Sequence, residues 1–255
     1  MGLFGDISLL GVLAITTAII FTAIMFGVLV GRHFRDHFSA DEAPPVGTLV
    51  GALFALLAFL LALTYSATSN RFEERKQLLL DEVNAIGTAY LRADFLEAEP
   101  KAQSKTLLRD YVTLRANVLR DSESLDQLIA SSEQLHKALW SEAVSALEQN
   151  NGPAQIAYAN ALNDVFDLHT SRVIVGLNYH IHDTVWIILL IVSVLAMSAI
   201  GFQFGYSGGR RITLCLLLAL TFSLVLSMIE DLDRPLEGSI TIDQGSMEMV
   251  LYSLD

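Results

Sequence analysis

The sequence predicts an all-α integral membrane protein: four membrane-spanning helices in two pairs, with a helical-bundle insert that extends the second and third spans. Three observations predict it. First, four stretches, 7–30, 46–68, 184–205 and 212–229, are long, apolar and free of Asp, Glu, Lys and Arg. A helix rising about 1.5 Å per residue needs roughly 20 such residues to cross a hydrocarbon core about 30 Å thick. Second, 53% of the residues are hydrophobic and the mean hydropathy is +0.47, more apolar surface than a water-soluble domain hides. Third, the segment between the pairs has helical spacing and lacks the alternation of a half-buried strand.

The elements follow in order. The pair 1–68 holds the first two spans. Gly2 to Asp6 carries an acid and no base, and the apolar run is longer than that of a signal peptide, so the first span reads as a retained helix. No breaker separates the second span from an insert helix running from Ser69 to about Leu96. Leu107, Tyr111, Leu114 and Val118 mark a helix from about Ser104 to Leu119. A Ser122 or Ser124 cap opens another, carrying Leu125, Leu128, Leu135, Leu139 and Leu147 and ending at Gln149. Asn151-Gly152-Pro153 breaks the chain, with Pro153 in the favoured first turn of a further helix. That helix carries Ile156, Leu162, Phe166, Val173 and Leu177 and leads toward the third span. The insert thus covers 69–183, the second pair 184–230, and an acidic tail 231–255.

Net charge is −12, which argues against nucleic acid and against a polybasic hold on anionic lipid. The single cysteine, Cys215, lies in the fourth span and excludes an intrachain disulfide framework. Four spans put both termini and the insert on one side. Arg32 and Arg35 sit on the first short connection, with His33 and His37, and Arg210 and Arg211 sit on the second. The positive-inside rule places those connections in the cytoplasm and the insert and termini outside, although Arg71, Arg75 and Lys76 crowd the start of the insert.

The second span carries two stripes. Phe54, Leu57, Leu61, Tyr65 and Thr68 form a bulky one that continues through Phe72, Leu79, Val83, Ile86 and Tyr90. Beside it run Gly47, Gly51, Ala55, Ala58, Ala62 and Ser66, a spacing that lets another helix approach closely. Either both stripes pack, or copies of this helix surround a pore with Phe54, Leu57 and Leu61 as an apolar constriction. Asn84 and Gly87 extend the case for assembly, as a polar residue and a small one that fix partner register.

Charges gather at the membrane edge: Arg71, Glu73, Glu74 and Arg75 after the second span, and Glu230, Asp231, Asp233 and Arg234 after the fourth. Three acids at a helix C-terminus oppose the macrodipole, so Arg234 and Arg71 or Arg75 are expected to compensate them, and Pro235 to stop the helix. The cluster reads as an interfacial salt-bridge network, a charged pore vestibule, or an oxygen-ligand cation site on Asp231 and Asp233, for which a bare D-x-D is slight support. No phosphate loop, nucleophile elbow, metalloprotease motif or cofactor motif occurs, so no enzyme and no cofactor are expected.

Arg71-Phe72-Glu73-Glu74-Arg75, the run Glu82-Val83-Asn84-Ala85-Ile86-Gly87-Thr88-Ala89-Tyr90-Leu91-Arg92, and Asp231-Leu232-Asp233-Arg234-Pro235 with Gly238 resemble the bestrophin-like transmembrane family of bacteria. The resemblance implies a place in the bacterial inner membrane and a distant likeness to bestrophins, which are pentameric anion channels. There the second membrane helix lines the pore and supplies an apolar neck, a role that would fall to Phe54, Leu57 and Leu61. The expected function is a homo-oligomeric ion channel contacting membrane lipid and inorganic ions, anion-permeable through a vestibule made positive by Arg71 and Arg75. The alternative is a non-conducting sensor or scaffold whose insert binds a partner or ligand.

Overall fold

A computed structural model describes residues 4–5, 7–35, 46–117, 125–208, 212–234 and 238–254. Every regular element among them is helical: α1 (Leu9–Arg35), α2 (Val46–Arg92) followed by a 3-10 turn (Ala93–Phe95), α3 (Ala98–Ala116), α4 (Leu125–Gln149), α5 (Pro153–Asn178), α6 (Asp183–Tyr206), α7 (Ile212–Asp233) and α8 (Gly245–Ser253). Four of them are long and apolar enough to cross a membrane: α1, α2, α6 and α7. His37, Arg210, Arg211, Val118, the Ser122 or Ser124 cap and Pro235 lie outside the described residues.

The chain divides into two compact units, Met1–Phe72 with His180–Thr241, and Glu73–Tyr179 with Ile242–Asp255. The 47-residue α2, about 70 Å long at 1.5 Å per residue, contributes to both.

The membrane unit is organised by a close crossing of α1 and α6. Gly27 and Gly31 of α1 face Gly201 and Gly205 of α6. A Cβ on Gly201 would fall on the Ile24 carbonyl oxygen, and one on Gly27 would lie 2.8 Å from the Phe202 amide nitrogen. Each helix carries a small-xxx-small pair, so the backbones meet without side chains between them. Around this crossing pack Ile20, Ile24, Leu57, Trp186, Met197 and Leu226, with Phe4 edge-on to Trp186 at 5.4 Å. Three hydroxyls inside the spans bond their own helix: Thr16 donates to the Val12 carbonyl at 2.7 Å, Thr64 to Leu60 at 2.8 Å and Ser193 to Leu189 at 2.7 Å, whereas Thr17, Ser223 and Ser227 bury hydroxyls without a partner among the described residues. None of the first three is left unpaired in an apolar setting.

The second unit packs Leu79, Ile86, Leu108, Leu139, Tyr158 and Leu162 from α2 to α5 into one core. The tail differs from the expectation of a separate acidic segment. It folds as α8, buries Met247 and Leu254 in this core, and is pinned where the Tyr90 hydroxyl and the Arg109 guanidinium donate to the Leu254 carbonyl at 2.6 and 3.0 Å. The expected extension of the third span also differs. α5 stops at Asn178 and α6 begins anew at Asp183. The Ile181 amide is drawn onto the Asp233 carboxylate at 2.9 Å, and the His182 side chain caps α6 by accepting from the Thr184 amide. An amide bonded outside its helix cannot continue it, so the chain turns there.

Candidate functional site

The chain covers one face of α2 and leaves the other open. Leu57 is fully buried and Leu61 is 7% exposed, both inside the chain's own membrane core. Phe54 is half-buried, edge-on to Phe222 of α7 at 5.7 Å. Thr68 is buried and donates to the Thr64 carbonyl at 3.0 Å, while Tyr65 lies on the flank, exposed. A pore constriction must be presented by surface that the single chain leaves open, and Leu57 and Leu61 have none to present. The neck assignment to Phe54, Leu57 and Leu61 is therefore corrected: these bulky side chains fill the space between α2 and its sister spans.

Gly47, Gly51, Ala55, Ala58, Ala62 and Ser66 are all exposed. A Cβ on Gly51 or Gly87 meets nothing within 4 Å, and Asn84 is exposed. Apart from Gly47, whose Cβ would come within 3.5 Å of Gln203 Nε2, the glycines of this face meet no other part of the chain. Opposite Leu57, about 200° round at 100° per residue, stands Phe59, 59% exposed. It lies on a line with Ala52, Ala55, Ala62 and Ser66 that continues along the same helix through Asn70, Glu73, Gln77, Asn84, Thr88 and Leu91, every one exposed.

Each acid at the end of α7 has its own partner, an arginine for Glu230 and Asp233 and loop amides for Asp231. Arg234 pairs with Glu230 at 3.3 Å and donates to the Phe4 and Ile7 carbonyls at 2.9 and 2.5 Å, which ties the first residues to this corner. Asp233 receives the Ile181 amide and the Arg71 guanidinium, the latter at 3.5 Å. Asp231 accepts from the Ser239 amide at 2.8 Å. Gly238 makes that clasp possible: its φ is +123°, and a Cβ there would fall on the Asp231 carboxylate. The acids, misplaced for the helix dipole, are offset by Arg71, Arg234 and loop amides. Asp231 and Asp233 direct their oxygens to separate elements, so the D-x-D does not form a common cation cradle. Arg75 is buried, whereas Glu73 and Glu74 are exposed. The positive vestibule expected of Arg71 and Arg75 is corrected accordingly: one pairs with an acid and the other is buried.

A second polar centre, in the second unit, carries no motif that marks it in the sequence. Glu82 of α2 is fully buried and meets the Arg172 guanidinium from α5, the Tyr111 hydroxyl from α3, and Arg115 at 3.6 Å. The Tyr111 hydroxyl also lies 3.0 Å from His169 Nδ1, and the His136 ring packs tilted against Phe166 at 4.3 Å and edge-on to His169 at 4.8 Å. Burial would raise the Glu82 carboxyl, but Arg172 and Arg115 with the Tyr111 hydrogen bond hold it below the usual carboxylate range. Burial, with Arg115 adding repulsion, lowers His136 to about 4 and His169 to about 3. Both histidines are neutral at pH 7, so the contact of His169 with Glu82 is not an ion pair. Among the described residues no three His, Cys, Asp or Glu groups are placed to hold a metal. Its signal was a charge on an apolar stripe: Glu82 falls between Leu79 and Ile86, and Arg115 continues the row Leu108, Tyr111, Val112.

This centre predicts acid sensitivity. A histidine depressed by folding binds its proton more readily when unfolded, so stability is complete above pH 6.5 and declines as pH falls toward 4. Glu82, also depressed, adds loss in the same direction at still lower pH. Thermal melts should fall steadily from pH 6.5 to 5, by less than about 1.4 kcal/mol per pH unit per histidine, and least for the partly exposed His136. His136→Phe should flatten the slope; an unchanged slope would show that His136 titrates normally.

The bestrophin-like domain family matches residues 12–247 of the chain. A bacterial bestrophin homologue from Klebsiella pneumoniae, solved as a point variant, aligns with a TM-score of 0.69 over 95% of this chain and 96% of that one, at 13% sequence identity. At that identity the likeness is one of fold. No curated protein matches the chain in sequence.

Proposed function

The chain belongs to the bestrophin-like family, and from that premise we propose that it assembles with copies of itself in a bacterial plasma membrane as an ion channel whose pore is walled by α2. The observation that carries the reading is the uncovered face of α2. A row of glycine, alanine and serine in a membrane helix suits close approach by another helix, and Ser66, Ser69 and Asn70 suit water or protein better than lipid. Phe59, the one aromatic on the line within the span, is the proposed apolar constriction. Arg32 and Arg35 at the end of α1 favour cytoplasmic short connections and an extracytoplasmic second unit.

Ion flux from liposomes holding the purified, size-characterised protein tests the reading. Phe59→Ala should raise flux severalfold with an unchanged elution volume. Leu57→Ala should instead lower the melting temperature, by the equivalent of about 2–4 kcal/mol for a cavity in packed side chains. If Leu57→Ala raised flux and Phe59→Ala did nothing, α2 would be turned the other way.

One observation favours the scaffold alternative. In the second unit, Leu91 and Phe95 are 67% and 58% exposed, an apolar pair fit for a partner. An intact assembly without flux in several lipids would select that reading.

A further inference from the structure

Resting on α2 as the pore wall, we infer that the pore prefers cations and that Glu73 sets the preference. The expectation of anions stood on Arg71 and Arg75, and neither is offered to the uncovered line. The Arg71 guanidinium is held by Asp233 at 3.5 Å, and Arg75 is buried at the position facing the core. From Thr48 to Leu91, the residues opposite the buried stripe include no Lys, Arg or His. Glu73 is the single ionised side chain among them, one turn beyond Asn70 and two beyond Ser66.

Two neighbours bear on its field. Lys76 lies about 60° round the helix and touches the Glu73 carboxylate at 3.7 Å, with both side chains more than half exposed. An exposed pair at that distance is worth between zero and about 1 kcal/mol and does not hold the lysine in place. Glu74 lies about 100° round on the other side and offsets the lysine charge. Each chain therefore presents an excess negative charge at the pore mouth, centred on Glu73. Repeated around a symmetry axis, such charges form a ring whose walls are low-dielectric helices, the arrangement that concentrates counter-ions.

The test is the reversal potential of the reconstituted protein in a planar bilayer under a KCl gradient. The expected result is potassium over chloride by about tenfold, at the low end of what such focusing gives. Glu73→Gln should bring the ratio at least threefold closer to unity, and Glu73→Lys should invert it. Because Glu73 is exposed, both variants should elute and melt as the parent does. The preference should also fade between 0.1 and 1 M salt, as the screening length drops from about 10 to about 3 Å. A chloride-directed reversal in the parent overturns the inference and leaves the channel standing. A cation preference indifferent to both substitutions overturns the role of Glu73. No conductance in any lipid overturns the channel itself, and the inference with it.

Discussion

Gly201→Val should leave little protein that elutes as a folded, monodisperse species in detergent. The reason is what the new side chain would meet. The first added carbon would overlap the Ile24 carbonyl oxygen and sit within 2.9 Å of its carbonyl carbon. Both atoms are backbone, so no rotamer change relieves the clash. The helices must separate, and separation also parts Gly205 from Val28 and Gly27 from Ser198, since the contacts are reciprocal. Overpacking a single methyl typically costs about 1–3 kcal/mol where neighbours yield. Here they are helical backbone, and the loss spreads along the crossing, a large share of the roughly 5–15 kcal/mol that holds a protein folded. Gly176→Ala is the control: its Cβ meets nothing within 4 Å, and alanine is the better helix former. A Gly201→Val protein as stable as the Gly176→Ala one would mean that α1 and α6 are not in contact there.

That crossing illustrates what the sequence makes legible and what it does not. Spans are read reliably because one length criterion, set by the bilayer, decides them, and α6 and α7 begin within a residue of where it puts them. Orientation within a span is another matter. Every face of α2 is compatible with lipid, so the bulky and small stripes are visible but their directions are not. Only the partner decides, and Phe222, a long way off in sequence, is part of it. Gly27 and Gly31, with Gly201 and Gly205, carry the same small-residue spacing as the α2 row and make the real close contact. Pattern alone does not rank the two. The break before α6 was hidden for a similar reason: no proline or glycine marks 179–182, and it is a carboxylate from α7 that captures the Ile181 amide.

Glu82→Gln should lower the melting temperature by of order 10 °C, more than Arg172→Ala does, although both remove half of the same ion pair. The change in shape is negligible, so the effect isolates charge. Among the described residues Glu82 is the acid that contacts two largely buried guanidiniums, Arg172 and Arg115. Removing its charge leaves two cations facing each other out of water, and breaking a buried pair typically costs about 3–5 kcal/mol. Arg172→Ala is less severe because Arg115, 3.6 Å away, still balances the carboxylate and the Tyr111 hydroxyl still donates to it. It follows that adding Arg172→Ala to Glu82→Gln should cost less than Arg172→Ala costs alone, since one of the unbalanced cations is gone. The double mutant would then be more stable than the sum of the two single effects predicts, by at least about 1 kcal/mol. Additivity, or an Arg172→Ala protein weaker than the Glu82→Gln one, would mean that Arg115 does not share the carboxylate, and that the helices of the second unit are joined here by a simple pair rather than by a three-way charge centre.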